Sequence, residues 1–315
     1  MARRRATAVA APSRFPSGLV WRLVRAALIL AVVLLLVLCG AGGVLTYLVV
    51  TTFNDAETVT PQSSFQSNFV NLSFTDRQGG EHEGWLLVGL KGAPAIILCH
   101  GYNSNRSELL ALGSLLRQNH FNVYLFNFHG PKAKHSYSDL GIRQADDLLA
   151  AIETVTKQPG VNPRRVGLFG TTTGGYAALV AAEQSPLVKA LVADTIYDNP
   201  SQMLELQVEQ LLGGTSGIFR RVPDAGFRLA TLGRTKPPVR ANLAKLANIP
   251  KLFITGRDLP LLAAATEGLY DLSPQPKRLL VLEHSYGTLA SGAVKKEYED
   301  QVLNFFLKNL PLRAD

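Results

Sequence analysis

The stretch from Arg165 to Ala182, RVGLFGTTTGGYAALVAA, constrains the fold more than any other part of this 315-residue chain. It reads as a short apolar strand, Val166–Phe169, then a turn holding Gly170, Gly174 and Gly175, then an alanine-rich helix. A strand that turns so sharply into a helix presents the middle side chain of the turn at the top of a sheet. That side chain faces helix N–H groups which have no partner within the helix and carry the positive end of its dipole. Thr172 is the middle residue, set between Gly170 and Gly174 as G-x-T-x-G.

Around this unit, strands and helices alternate. Strand-like segments at Phe69–Phe74 and Trp85–Leu90 flank a Gly79-Gly80 turn, followed by an apolar strand at Ala95–Cys99 and a helical pattern at Glu108–Arg117. Asn122–Phe128 is the next strand and Asp146–Val155 the next helix. Beyond the central unit come strands at Val188–Ala193, Lys251–Thr255 and Arg278–Leu282, and a terminal amphipathic helix at Glu297–Leu310. Continuous apolar strands separated by helices predict an α/β fold, with a mostly parallel sheet covered by helices on both faces.

The alternation lapses between Asn199 and Asn248, where Met203, Leu204, Leu206, Val208, Leu211 and Leu212 fit a helix with one apolar face. Residues 199–248 therefore predict a small helical cap over the open end of the sheet. Arg220, Arg221, Arg228, Arg234, Lys236, Arg240 and Lys245 make it basic, with Asp224 the acid among them. Such a rim is either a solvated face or a surface that meets an acidic ligand or anionic headgroups.

The net charge of +8 is concentrated at the N-terminus: Arg3, Arg4, Arg5, Arg14, Arg22 and Arg25 stand in residues 1–25 without an acid, leaving a balance of +2 elsewhere. This pattern speaks for membrane topology and against nucleic-acid binding. Ala26–Val50 is 25 residues without a charge, long enough to cross a ~30 Å hydrocarbon core as a helix. Arginines precede it and Asp55 and Glu57 follow, which predicts a single-pass protein of the cell membrane with a cytoplasmic N-terminus and an extracytoplasmic main domain. The competing reading is a cleaved signal peptide, whose apolar core is usually ~7–15 residues. The expected organisation is a basic segment 1–25, a membrane helix 26–50, a tether 51–65 and a globular domain 66–315. Cys39 and Cys99 imply neither a disulfide framework nor a metal site. His82, His120, His129 and His135 show no metal-ligand spacing and read as surface or turn residues.

Taken together, residues 66–312 resemble the α/β-hydrolase superfamily, in particular its serine-peptidase and esterase-like branches. His100-Gly101 after an apolar strand looks like the family's oxyanion-hole turn, and Asp146–Ile152 like the helix before the nucleophile elbow. Gly170–Gly175 matches the elbow itself, and Leu252–Gly256 the strand that usually delivers the acid. The resemblance implies an oxyanion hole made by the backbone amides of Tyr102 and Thr173. It also implies a degenerate triad: the nucleophile position holds Thr172 where serine is expected, the acid position Leu259 and the histidine position Tyr286. Asn127-Phe128-His129-Gly130 stands where the family often has Asp-Tyr-Arg-Gly, and Asp194 falls where a structural aspartate is common.

Two functional expectations from different classes follow, with a purely structural or assembly role as a third. One is a catalytically impaired, hydrolase-like binding protein for a small-molecule, ester or peptide ligand. The other is an active ester or peptide hydrolase with a shifted triad of Thr172, His284 and Asp258, the latter two lying within two positions of their family places. No cofactor is expected, since Gly170–Gly175 lacks both the lysine of a phosphate loop and the spacing of a dinucleotide fingerprint. The sequence names no protein partner.

Overall fold

The computed structural model describes residues 17–53, 57, 59–62, 69–128, 135–213, 217–234, 236–286 and 292–313. Arg3, Arg4, Arg5 and Arg14 of the basic segment, His129 and Gly287 lie outside the described residues. An eight-stranded sheet organises the domain. Its strands are β2 (Phe69–Thr75), β3 (Glu81–Leu87), β4 (Ala93–Cys99), β5 (Asn122–Phe126), β7 (Val161–Thr171), β8 (Val188–Asp194), β9 (Lys251–Gly256) and β10 (Lys277–Leu282). They lie side by side in the order β10-β9-β8-β7-β4-β5-β3-β2. All neighbours are parallel except those of β3, which runs antiparallel to both β2 and β5.

The expected α/β architecture is therefore present, and β7 lies at its centre between β4 and β8. β4, β5 and β9 are buried at every position, as strands covered on both faces must be. One face carries α3 (Gln144–Val155) and α4 (Thr172–Ala182), and its core includes Leu148, Ile152, Ala177 and Leu179. The other carries α2 (Leu110–Gln118) and α8 (Ala293–Asn309), packed through Leu112, Leu116, Val302 and Phe306. The helix predicted from Glu108 begins as a 3-10 turn at Arg106–Leu109, capped by the Asn105 side chain on the Ser107 amide.

The cap contains α5 (Pro200–Leu212) and α6 (Gly217–Ala230). Asn199 accepts from the Gln202 amide at the start of α5, and Gly213 ends it in the left-handed conformation, the usual start and stop devices. Its basic rim is partly neutralised. Arg228 pairs with Asp224 at 2.9 Å, Lys236 with Asp146 at 2.9 Å and Arg240 with the buried Asp198 at 2.6 Å. The latter two acids come from distant parts of the chain, so local charge counting overstated the imbalance.

α1 (Ser17–Val50) is one continuous helix, long and apolar enough to cross a membrane. The predicted tether is less detached than its composition suggested. β1 (Thr51–Phe53) pairs antiparallel with β6 (His135–Tyr137), and Glu57 forms an ion pair with Arg106 at 2.7 Å. A polar composition does not exclude packing when the partners are polar too.

Candidate functional site

The last residue of β7, Thr171, is extended, and the chain turns into α4 within one residue. Thr172 sits in the turn with φ 44°, a conformation that β-branched residues adopt only under constraint. The glycines explain how so tight a turn closes: a Cβ on Gly170 would collide with the Gly174 backbone, and one on Gly174 with the backbone of Cys99 and His100. The sequence unit thus packs directly against the end of β4.

The Thr172 hydroxyl has a partner. Its Oγ1 accepts a hydrogen bond from the Tyr102 amide at 2.7 Å. Thr173 is completely buried, and its amide stands in the first turn of α4 with no acceptor four residues back. The turn after β4 is fixed from the other side. His100 is buried, and its Nε2 accepts from the Phe128 amide at 3.2 Å. Its Nδ1 therefore carries the proton and donates to the Gly101 carbonyl at 3.0 Å. Tyr102 is held at both ends, its phenol donating to the Val49 carbonyl of α1 at 2.6 Å. Burial pushes that phenol up to about 12.

The other predicted site residues divide into two groups. Asp258 and His284 come together, with Oδ2 and Nδ1 3.7 Å apart, while Asp258 Oδ1 accepts from the Ser285 amide at 3.0 Å. The His284 side chain is 54% exposed, and no hydrogen bond or ion pair joins it to Thr172 among the described residues. Leu259 instead precedes α7 (Pro260–Leu272) and packs against the apolar core. Tyr286 turns inward: it is buried beside Phe169 and Tyr298, and its hydroxyl donates to Glu299 at 3.0 Å.

Asp194, at the end of β8, organises that loop. It is fully buried and accepts from the Thr195 hydroxyl at 2.6 Å, the Tyr298 phenol at 2.7 Å and the Tyr286 amide at 3.1 Å. Burial raises its carboxyl to about 6 against these donors, which favour the charged form. It holds the His284-bearing loop from below and presents no oxygen to Thr172.

A second polar cluster was not legible in linear spacing. His82 is not a surface residue but is buried, stacked on Phe74 at 4.8 Å. Asp76, His82 and Asp147 bring their ligand atoms within 4.8 Å of one another, an arrangement able to surround a cation. Both ring nitrogens are already engaged, however: Nδ1 with the Asn127 carbonyl and Nε2 with Asp76, each at 3.1 Å. An ion would have to displace the latter bond. Burial pushes Asp76 up, but the Gly80 amide, His82 and the Gln78 amide outweigh it and hold the carboxyl below its ordinary range. Burial pushes Asp147 up to about 7, opposed by the nearby His82. The three come from β3, the β2–β3 turn and α3, so only the fold unites them.

The comparisons agree with this architecture. Residues 94–233 match the model of the α/β hydrolase fold family. An esterase of Pyrococcus furiosus superimposes with a TM-score of 0.64 at 18% identity, covering 83% of this chain and 98% of that one. The chain has the α/β-hydrolase fold. A dienelactone hydrolase from Anabaena variabilis shares that fold with a TM-score of 0.56 at 20% identity, covering 78% of this chain and 99% of the other. In sequence, the chain is 28% identical over 251 residues to an uncharacterized protein, YfhR, of Escherichia coli O157:H7, spanning 76% of this chain and 81% of the relative. Within this fold, the Thr172 turn stands at the carboxyl ends of the central parallel strands, where open α/β sheets place their ligand sites.

Proposed function

We propose that this is a membrane-anchored α/β-hydrolase-fold protein that binds a ligand above the Thr172 turn and is impaired in hydrolysis. The observation that carries the reading is the hydrogen bond from the Tyr102 amide to Thr172 Oγ1. In an elbow of this kind, that amide would help hold the developing oxyanion. Here the side chain at the nucleophile position occupies it, and among the described residues no imidazole is hydrogen-bonded to the hydroxyl to take its proton. An uncleaved anchor is supported by the burial of Val49 and Val50 in the domain core, because removing α1 would expose those contacts. The arginines before α1 support a cytoplasmic N-terminus.

A second reading, an active ester or peptide hydrolase, draws on the Asp258–His284 pair and on the strained φ of Thr172. If His284 swung onto Thr172, it would take the hydroxyl proton during attack on a substrate carbonyl and Asp258 would orient the ring. The test is turnover of a short-chain p-nitrophenyl ester by the full-length protein in detergent, compared with Thr172→Ala and His284→Ala. Equal, near-blank rates in all three forms support the binding reading. Turnover abolished by both substitutions overturns it in favour of the shifted triad.

A further inference from the structure

α1 does more than precede the domain; its last turns pack against the cap and hold Tyr102, whose amide reaches Thr172. The helix is exposed from Gly18 through Ala41 apart from a half-buried Leu38, and then Gly42, Thr46, Val49 and Val50 form a buried stripe. Crossing the ~30 Å hydrocarbon core takes about 20 residues at a rise of ~1.5 Å each. Counted from Ala26, the first residue after Arg25, the apolar slab ends close to Thr46. There the cap meets the helix: Thr46 Oγ1 shares its proton between the Gly42 carbonyl of its own helix at 2.8 Å and the Pro223 carbonyl of α6 at 3.0 Å, and a Cβ on Gly226 would stand 2.8 Å from Thr46 Oγ1. About one helical turn further, the Val49 carbonyl receives the Tyr102 phenol, and the Tyr102 amide reaches Thr172.

The cap surface next to this junction has the composition of an interfacial element. Leu229 and Leu232 are 78% and 81% exposed, beside the exposed Arg228 and Arg234. A cavity of about 170 Å³ opens where α1 ends, lined by Val50, Ile142, Phe227 and Leu232 with Arg234 and with Arg143 paired to Asp139 at 3.1 Å. Apolar side chains with such exposure, interleaved with arginines, gain most where acyl chains meet anionic headgroups.

We infer that the cap is a membrane-docking surface: the end of α6 and the residues after it sit on an anionic lipid bilayer, holding the Thr172 turn at headgroup depth. The inference rests on the anchored reading of α1. It makes the bilayer's own amphiphiles, rather than freely dissolved solutes, the ligands within shortest reach of the turn.

Depth-dependent quenching tests this on the full-length chain in nanodiscs of phosphatidylcholine with or without phosphatidylglycerol. In a Cys39→Ala background, where the remaining Cys99 is fully buried in β4, one added cysteine at Leu35, Leu229, Leu232 or Lys308 carries a bimane label. Lys308, near the amino end of β9 beside Pro250 and Lys251, reports the opposite end of the sheet. The expected result is strong quenching of Leu229→Cys and Leu232→Cys by lipids with nitroxide-labelled chains, several-fold above Lys308→Cys. The anionic lipid should enhance it, and added Arg228→Glu and Arg234→Glu should reduce that enhancement. Quenching at Leu35→Cys with none at Leu229→Cys and Leu232→Cys would overturn the docking surface while leaving the anchor intact. Absence of quenching at Leu35→Cys would overturn the anchor and the inference together.

Discussion

Replacing Thr172 by serine and by alanine separates the two forces that act on the turn. With φ at 44°, an L-residue at this position bears a backbone cost of roughly 1–2 kcal/mol, increased by the branched Cβ. The oxygen, which serine keeps, is closely packed: a Cβ on Gly101 would lie 2.6 Å from Thr172 Oγ1 and 2.7 Å from Thr171 Oγ1. Serine removes the γ-methyl but keeps the oxygen, so Thr172→Ser should stabilise the protein by about 0.5–1 kcal/mol. Alanine also removes the methyl, yet it deletes the acceptor of the 2.7 Å bond from the Tyr102 amide. An unsatisfied amide in a part-buried turn costs about 1–3 kcal/mol, so Thr172→Ala should be destabilised by roughly 1 kcal/mol net. The predicted order is serine, threonine, alanine, with the extremes separated by about 2 kcal/mol. For a domain of this size that is a difference of roughly 4 °C in unfolding midpoint, readable by thermal denaturation in a fixed detergent. Alanine matching or exceeding serine would refute the reasoning, because the hydroxyl would then contribute nothing to the amide it faces.

Tyr298→Phe removes one of three donors from the fully buried Asp194 carboxylate and should cost about 1.5–3 kcal/mol. Because folding already raises that carboxyl to about 6, stability falls as pH rises from the unfolded value through 6; the lost donor should steepen this fall in denaturation curves at pH 5 and 8. Asp147 is raised from 3.8 to about 7, so the folded state holds an extra proton in that window and loses stability as pH climbs through it. Asp147→Asn should accordingly flatten the pH dependence between 4 and 7, and an unchanged slope in chemical denaturation would contradict the assignment. Arg106→Ala breaks the 2.7 Å pair with Glu57 and the contact with the Trp85 ring at 3.8 Å, with an expected loss of about 3 kcal/mol. A double-mutant cycle with Glu57→Ala should recover part of that loss, as two groups in contact require.

The fold was legible because its signals are local. Continuous apolar strands such as Ala95–Cys99 need cover on both faces, and three glycines at the junction of a strand and a helix leave few ways for the chain to turn. The long apolar helix was equally plain in composition. What the sequence does not disclose depends on elements far apart along the chain. In sequence His82 reads as a surface or turn residue because nothing in its neighbourhood announces Asp147, 65 positions later. The acid partners of Lys236 and Arg240 were missed for the same reason, and so was Glu57, which gives an otherwise polar tether a buried hold on Arg106.

The loop after β10 is fixed by contacts that do not depend on the His284 ring. Side chains alternate there: His284 faces outward and Tyr286 inward, so histidine at 284 and tyrosine at 286 direct the imidazole away from the core and an aromatic ring into it. Two carboxylates then clamp the loop backbone, Asp258 through the Ser285 amide and Asp194 through the Tyr286 amide. In a working triad, the acid's principal bond is to the histidine ring. Here each acid holds a backbone amide, and Asp258 stands 3.7 Å from the His284 ring. These contacts keep the loop beside the Thr172 turn whether or not hydrolysis occurs. A ligand site at that turn can therefore persist on structural grounds alone, and retention of the fold is no measure of retained chemistry.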